Sequence, residues 1–503
     1  MHTLKKFVSL HPFASLSLIF LITRLVNLTL LPTFIDESTF IDWGWRTVNI
    51  PGLFFFPLSF YKMPLIMWFF GIFQFLFSDP LLAGRLVGVL TGWLAFFGLY
   101  RLAKITVDSR TAVISCLLYI FIPIFIFFDR QALMESALMA AGIWSCYFLY
   151  RYLEKPGVRL SLWLGITLGL GCLVKANGLI FVPAAFLIIF YTAWKNSRTR
   201  YHLLTYAILT LICILLVMSP VLFQETFWIT IHNVSDFTMT MRELLGFPVL
   251  TWGKSLFAHL EIIFWYFNPL IFASLILSRK KIPVVALWTI LTLIFTTLLV
   301  KHALPRYLAP YLPPLLIFAA DWLSHQKNYL LPLFIAPSLL ISALLVFNPP
   351  GYFRVLSRLT SYSYIDDYLT GRDTGYQAMA TIKYLKDHLP SSQVYVCVAA
   401  NAGNPEQAVF NYLRRRQDTI LGYLDDHVVD IPLDEFDCLS ASIPVFYVAR
   451  HEEQGGLHRF YTKWATITNS ENDDYNTIYT LKSDCRGKIL SIDNVIRYYQ
   501  SRI

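Results

Sequence analysis

Apolar runs of bilayer length follow one another from residue 13 to residue 347. Lipid offers the backbone no hydrogen bonds, so such runs must be helical, and each crossing takes about 20 mostly apolar residues. Candidate spans are 13–31, 81–103, 111–128, 132–150, 160–175, 178–194, 201–222, 255–277, 282–300, 307–323 and 329–347, which makes about eleven. The 503-residue chain is 56% hydrophobic and 15% charged, where a soluble domain carries about 25% charge. The sequence therefore describes an α-helical polytopic membrane protein. No small-residue cleavage site follows the first run, which reads as a retained anchor rather than a signal peptide.

Charge orients the spans. The net charge of +9 sits in short clusters between runs, such as 151–159, 194–200 and 278–281, a membrane pattern rather than a nucleic-acid-binding arm. Place Lys5 and Lys6 in the cytoplasm and let 63–77 stay uncrossed. Clusters 104–110, 151–159, 195–200, 278–281 and 324–328 then all face inward, as the positive-inside rule requires. Segment 63–77, about 15 residues and short for a crossing, reads as an interfacial or re-entrant helix. Segment 36–49, with Ile41, Trp45 and Val48 on one side and Asp42 and Arg46 elsewhere, reads as a second surface-lying helix. Segments 32–62, 129–135, 175–177, 223–254 and 301–306 fall on the outer side of what is expected to be a cell inner or plasma membrane.

After Pro349-Pro350-Gly351 the composition turns polar. A transmembrane domain over 1–350 and an extracytoplasmic α/β domain over 351–503 are expected. In the latter, "YQAMATIKYLKDHLP" and "PEQAVFNYL" have helical character, and "QVYVCVAA" and "IPVFYVAR" strand character. Cys116, Cys146, Cys172 and Cys213 lie in apolar runs as small hydrophobes. Cys397, Cys438 and Cys485 lie in the tail, with disulfide status open. No cysteine or histidine spacing suits a metal, and no cofactor is called for. "NVS" at 233–235 is a sequon in an external loop.

Five constellations on the outer side carry polar chemistry. Asp36-Glu37 follows the first span; an acidic pair beside lipid is costly unless used or neutralised, and a helix-start cap is the plainer account. Lys62 heads the 63–77 helix, as a snorkelling lysine or a lipid-phosphate ligand. In "FFDRQALMESAL", Asp129 and Arg130 precede Glu135, which lies inside an apolar pattern and needs a partner or a role. Lys175 and Asn177 occupy the turn "LVKANG". Arg306 and Tyr307 open the proline-rich "LPRYLAPYLPP"; Arg suits phosphate. For these cations, anchoring at the headgroup level stands beside ligand binding.

Their order along the chain resembles the protein O-mannosyltransferase and aminoarabinose transferase family, integral-membrane glycosyltransferases of the GT-C fold. The matching stretches are "RLVNLTLLPTFIDES" with Arg24, "YKMPLIMWFFGIF" with "SDPLLAGRLVGVLTG", "DRQALMESAL", "LGLGCLVKANGLIFVP" and "LPRYLAPYLPPL", over about residues 10 to 325. The resemblance implies an inverting transfer of a sugar from a polyprenyl-phosphate donor to a lipid, glycan or protein acceptor at the outer face, among membrane lipids and without nucleic acid or metal. It makes Asp36 the general base and Glu37 and Glu135 the other acidic candidates. Lys62, Arg130, Lys175, Arg306 and Tyr307 become the donor-phosphate candidates, with His302 and Arg24 as further candidates. Departures are Met63-Pro64 for the family's double proline, Tyr61 where the aminoarabinose transferases have an acid, and Glu135 for the family's Asp. A transporter or lipid-linked glycan flippase is the alternative, weakened by the absence of a clear repeat and by polar residues gathered at one surface. A non-catalytic scaffold, or a ligase-like enzyme using a pyrophosphate-linked oligosaccharide, is a further alternative.

Overall fold

The computed structural model describes residues 12–233, 238–278, 281–327, 329–371, 374–399, 403–424, 444–450, 461–468, 475–481 and 489–490. Lys5, Lys6, Cys438, Cys485, most of the sequon and two residues of the 278–281 cluster lie outside them. The chain divides into two compact units, one formed by Met1–Leu28, Phe55–Phe69 and Arg85–Ser363, the other by Thr29–Phe54, Phe70–Gly84 and Tyr364–Ile503.

The first unit is helical, and each expected span holds at least one helix. Among the described residues, four helices are long and apolar enough to cross a membrane, Pro80–Thr106, Ala176–Lys195, Arg200–Leu222 and Leu330–Phe347. Two bent pairs raise this to six, Ser109–Phe121 with Pro123–Asp129 and Val249–Phe267 with Pro269–Leu277. Glu135–Glu154 has 20 residues, and the other apolar helices are shorter. Val158–Val174 and Pro283–Leu299 have 17 residues each, about 26 Å at 1.5 Å per residue against about 30 Å of hydrocarbon. Proline explains the breaks, because it lacks the N–H that continues a helix. Pro123 and Pro269 each open the second member of a bent pair. Pro310, Pro313 and Pro314 divide the expected 307–323 span into a turn Pro305–Leu308, a 3-10 turn Ala309–Tyr311 and a helix Leu315–Ser324. Within 63–77 the helix is Leu65–Leu76, 12 residues, about 18 Å long and short of a crossing. The cysteines of the apolar runs, Cys116, Cys146, Cys172 and Cys213, are buried free thiols.

The second unit holds a six-stranded sheet in the order β4-β5-β3-β1-β2-β6. The strands are β1 Val394–Ala399, β2 Thr419–Leu424, β3 Val445–Arg450, β4 Tyr461–Thr468, β5 Tyr475–Leu481 and β6 Ile489–Leu490. β1 runs parallel to β2 and β3, and the outer pairings are antiparallel. Alternation explains the layering: Val394, Val396 and Val398 point to one face, where they pack with Ala378, Ile382 and Leu385 of the helix Gly375–His388 and with Val409 and Leu413 of the helix Glu406–Leu413. Cys397 points to the other face, a buried free thiol beside Tyr447 and Tyr479.

This unit is more than a tail, because the segment following the first span packs into it. The helix Ile35–Asn49 buries ten of its residues, including Asp42 and Arg46, so the polar side expected to face water is packed instead. Its burial is compensated. Arg46 Nε donates to Asp42 Oδ2 at 2.6 Å, Arg414 pairs with the other Asp42 oxygen, and Arg414 lies 4.0 Å over the Trp45 ring. Asn411 Nδ2 donates to the Ser38 carbonyl at 2.8 Å, and Ser38 Oγ to Asn404 Oδ1 at 2.6 Å. Gly71 sits against the same helix: a Cβ there would collide with the Gly44 carbonyl oxygen and lie 2.8 Å from Val48 Cγ2. Gly71→Ala is therefore expected to destabilise the protein by about 1–3 kcal/mol through overpacking, although Ala is the better helix former by about 1 kcal/mol. Thermal unfolding in detergent checks it; an unchanged or raised midpoint contradicts the close packing.

Candidate functional site

Three segments of the first unit converge on one carboxylate. Glu135 begins the helix Glu135–Glu154, an end where the macrodipole favours an acid. Lys175 follows the last residue of Val158–Val174, an end that favours a cation. The chain turns sharply after it, with Gly178 N–H donating to the Lys175 carbonyl at 2.8 Å. Gly178 is required there, since a Cβ would collide with the backbone of Gly171. Arg306 stands in the turn opened by Pro305. Tyr311 Oη, one turn on, donates to the Asn177 carbonyl at 2.9 Å and ties the two segments together.

The carboxylate is fully buried, and both cations bind the same oxygen. Lys175 Nζ lies 2.7 Å from Glu135 Oε1 and Arg306 Nε 3.2 Å from it, while the cations keep 11% and 16% of their side-chain surface exposed. The Lys175 ammonium also sits over the Tyr307 ring at 5.0 Å. Among the described residues, Glu135 Oε2 has no hydrogen-bond partner. Lys62 lies within electrostatic reach of Lys175 and follows Tyr61, whose φ of 61° is left-handed, a conformation that costs a bulky residue energy.

Just before Arg306, the stem is fixed by the loop ahead of Val249–Phe267. Met239 N–H donates to the Leu299 carbonyl at 2.8 Å, and Lys301 Nζ pairs with Glu243 at 2.8 Å. The Lys301 hydrogen bond, with Thr240 behind it, holds Glu243 down to about 2. His302 is exposed, and no hydrogen bond or ion pair of its side chain is present among the described residues.

Arg24 and Arg130 are engaged elsewhere in the same unit. Arg24 is fully buried and binds Asp129 through Nε at 3.2 Å and Nη2 at 3.1 Å. Its remaining donors meet the carbonyls of Tyr119 and Ile120. The other Asp129 oxygen accepts from Tyr119 Oη at 3.2 Å and Ser136 Oγ at 3.1 Å. Arg130 donates to the carbonyls of Thr23, Arg24, Val26 and Asn27 at 2.7–3.1 Å. These are the orphan carbonyls at and beyond the end of the helix Pro12–Leu25, so Arg130 caps the first span. Asp129, Tyr119 and Ser136 complete this knot; the sequence marked Arg24, Asp129 and Arg130, and gave no sign of Tyr119 or Ser136.

Asp36 and Glu37 belong to the second unit, in the first turn of Ile35–Asn49. Glu37 is fully buried and its Oε2 accepts from the Phe34 N–H at 2.9 Å, the bond of a helix-start cap. Asp36, one residue earlier, is half-buried.

Residues 61–223 match the family described as Dolichyl-phosphate-mannose-protein mannosyltransferase. The fold is similar to that of ArnT from Cupriavidus metallidurans bound to undecaprenyl phosphate, with a TM-score of 0.58 and 13% identity over 94% of this chain and 98% of that one. It is also similar to the Archaeoglobus fulgidus oligosaccharyltransferase in complex with Zn and sulfate, with a TM-score of 0.50 and 15% identity over 91% and 72% of the two chains. No curated protein matches the chain in sequence. The fold is that of the GT-C membrane proteins, as the order of motifs implied, and the protein is a multi-pass membrane protein.

Proposed function

We propose that the protein is an inverting glycosyltransferase that moves a sugar from a polyprenyl-phosphate carrier to a lipid, glycan or protein acceptor at the outer face of the membrane. The observation that carries this reading is the Glu135–Lys175–Arg306 cluster, a buried carboxylate aiming two partly exposed cations. The family match over 61–223 includes Lys62, Glu135 and Lys175. The similar ArnT structure holds undecaprenyl phosphate, which is the donor's carrier in this reading.

In the reaction, the acceptor oxygen attacks the anomeric carbon as the bond from that carbon to the phosphate oxygen breaks. Asp36 takes the acceptor's proton. The electron pair of the broken bond leaves on the polyprenyl phosphate, which changes from a singly charged diester to a monoester carrying up to two charges. Lys62, Lys175 and Arg306 meet that growing charge, and Tyr307 holds Lys175 in place. These cations suit the leaving group better than the bound donor, because the phosphate gains charge as the bond breaks and their attraction strengthens with it, which is what accelerates a step. Glu135 positions Lys175 and Arg306 and keeps them compatible with burial while no phosphate is bound. Arg24 and Arg130 fix the end of the first span, from which the chain runs on to Asp36. Orientation with the N-terminus cytoplasmic follows from the basic clusters.

Lys175→Gln is expected to slow transfer by about 10²–10³-fold, the loss typical for one electrostatic donor, with kcat falling more than the donor KM rises. Steady-state transfer from polyprenyl-phosphate sugars by the purified protein checks this. An unchanged kcat with only a raised KM would place Lys175 in ground-state binding and contradict its role toward the leaving group.

A further inference from the structure

The helices that end in Glu135 and Lys175 have a second, differently built end. From Glu135 to Arg151, and from Arg159 to Lys175, the chain runs sixteen residues in each case, about 24 Å of helix. The far ends of this hairpin are therefore separated from the Glu135 cluster by most of a bilayer's hydrocarbon. There they enclose a pocket of about 600 Å³ together with the end of Pro80–Thr106. Arg101, Arg151, Lys155 and Arg159 line it, and the lining contains no carboxylate. Arg101 is held by Tyr147 Oη at 3.2 Å. Glu154 lies 3.6 Å from Arg151, with both side chains about half exposed. Among the described residues, Lys155 and Arg159 have no ion-pair partner. The pocket wall is aromatic: Phe148 and Trp163 stack at 5.7 Å, and Trp163 is 45% exposed.

Cations near helix ends often only snorkel, and Arg101, Arg151 and Lys155 stand where the negative end of a helix favours them. Arg159 does not fit that account. It sits in the first turn of Val158–Val174, where the macrodipole repels a cation. The N-cap is Gly157, which has no side chain to satisfy the first N–H groups. N–H donors without a side-chain cap, a cation at the wrong end of a helix and three further cations facing the same cavity together call for an anion. The aromatic wall beside it calls for an apolar chain.

We propose that this pocket binds the phosphate-bearing headgroup of an anionic lipid, with the lipid chain against Phe148 and Trp163. Basic pockets between membrane helices hold such headgroups. The site is distinct from the Glu135 cluster and does not depend on the reading of that cluster as a transferase site.

The test uses the full chain in detergent micelles supplied in turn with phosphatidylglycerol, phosphatidylcholine, undecaprenyl phosphate and inorganic phosphate, with retained ligand read by native mass spectrometry. At least fivefold preference for phosphatidylglycerol or undecaprenyl phosphate over phosphatidylcholine is expected; which of the two is retained identifies the source of the headgroup. Lys155→Gln with Arg159→Gln should abolish the preference, and Lys155→Arg with Arg159→Lys should keep it. Equal retention of charged and zwitterionic lipid, a preference that survives the neutral variant, its loss in the charge-conserving variant, or binding of inorganic phosphate alone would overturn the proposal.

Discussion

Asp36→Asn is expected to lower the rate of sugar transfer by about 10²–10⁴-fold, the range general-base catalysis supplies, while donor binding stays near the wild-type value. The amide keeps the size of the carboxylate and cannot accept the acceptor's proton. The neighbouring acid provides the control. Glu37 is buried and caps the start of its own helix through Phe34, so Glu37→Gln should act mainly on stability, at about 0.5–2 kcal/mol for a lost cap. Transfer rates and melting midpoints, measured on both variants, separate base from cap. Equal loss of transfer in the two, scaled to equal loss of folded protein, would remove Asp36 from the chemistry.

Asp129→Ala is expected to destabilise the protein by roughly 3–5 kcal/mol, the penalty for leaving one member of a buried ion pair uncompensated. Arg24 would be stranded in a site that excludes water, and Tyr119 would lose its carboxylate acceptor, while Ser136 keeps the Phe128 carbonyl. Replacing both ions, as in Arg24→Met with Asp129→Leu, should cost less than the two single changes added together, because no unpaired charge remains. Denaturation of the four proteins of this cycle gives the coupling directly. Strict additivity would show that Arg24 and Asp129 do not depend on one another.

The two clusters were unequally legible. Glu135, Lys175 and Arg306 stood out in the sequence because each interrupts an apolar pattern near a span end, where a charge needs a reason. Their meeting on a single oxygen did not, since 40 and 171 residues separate the cations from Glu135. Arg24 and Arg130 were visible for the same reason, yet what occupies them was hidden: a carboxylate 105 residues away in one case, and four carbonyls of the first span's end in the other. Composition placed helices in the spans and strands in the tail, because periodicity is local. It could not reveal that 29–54 and 70–84 join the tail in one compact unit. That association rests on pairs such as Asp42 with Arg414, 372 residues apart. Asp42 and Arg46 pair with each other only four residues apart, but the second cation on Asp42, Arg414, is distant in sequence, so their burial was hidden. The basic pocket around Arg159 escaped for a related reason. Each of its cations obeys the positive-inside pattern, and only the direction of the helix that carries Arg159 makes it unusual.

Purified protein in lipid nanodiscs, given a panel of radiolabelled polyprenyl-phosphate sugars with membrane acceptors, should move label from one donor to an acceptor, release one polyprenyl phosphate per sugar transferred, and invert the anomeric configuration. Asp36→Asn should abolish the transfer, and a carboxylate change far from the site, such as Glu154→Gln, should leave it intact. Movement of a solute or an intact lipid-linked glycan across the membrane, with no donor in the panel consumed, would contradict the glycosyltransferase reading.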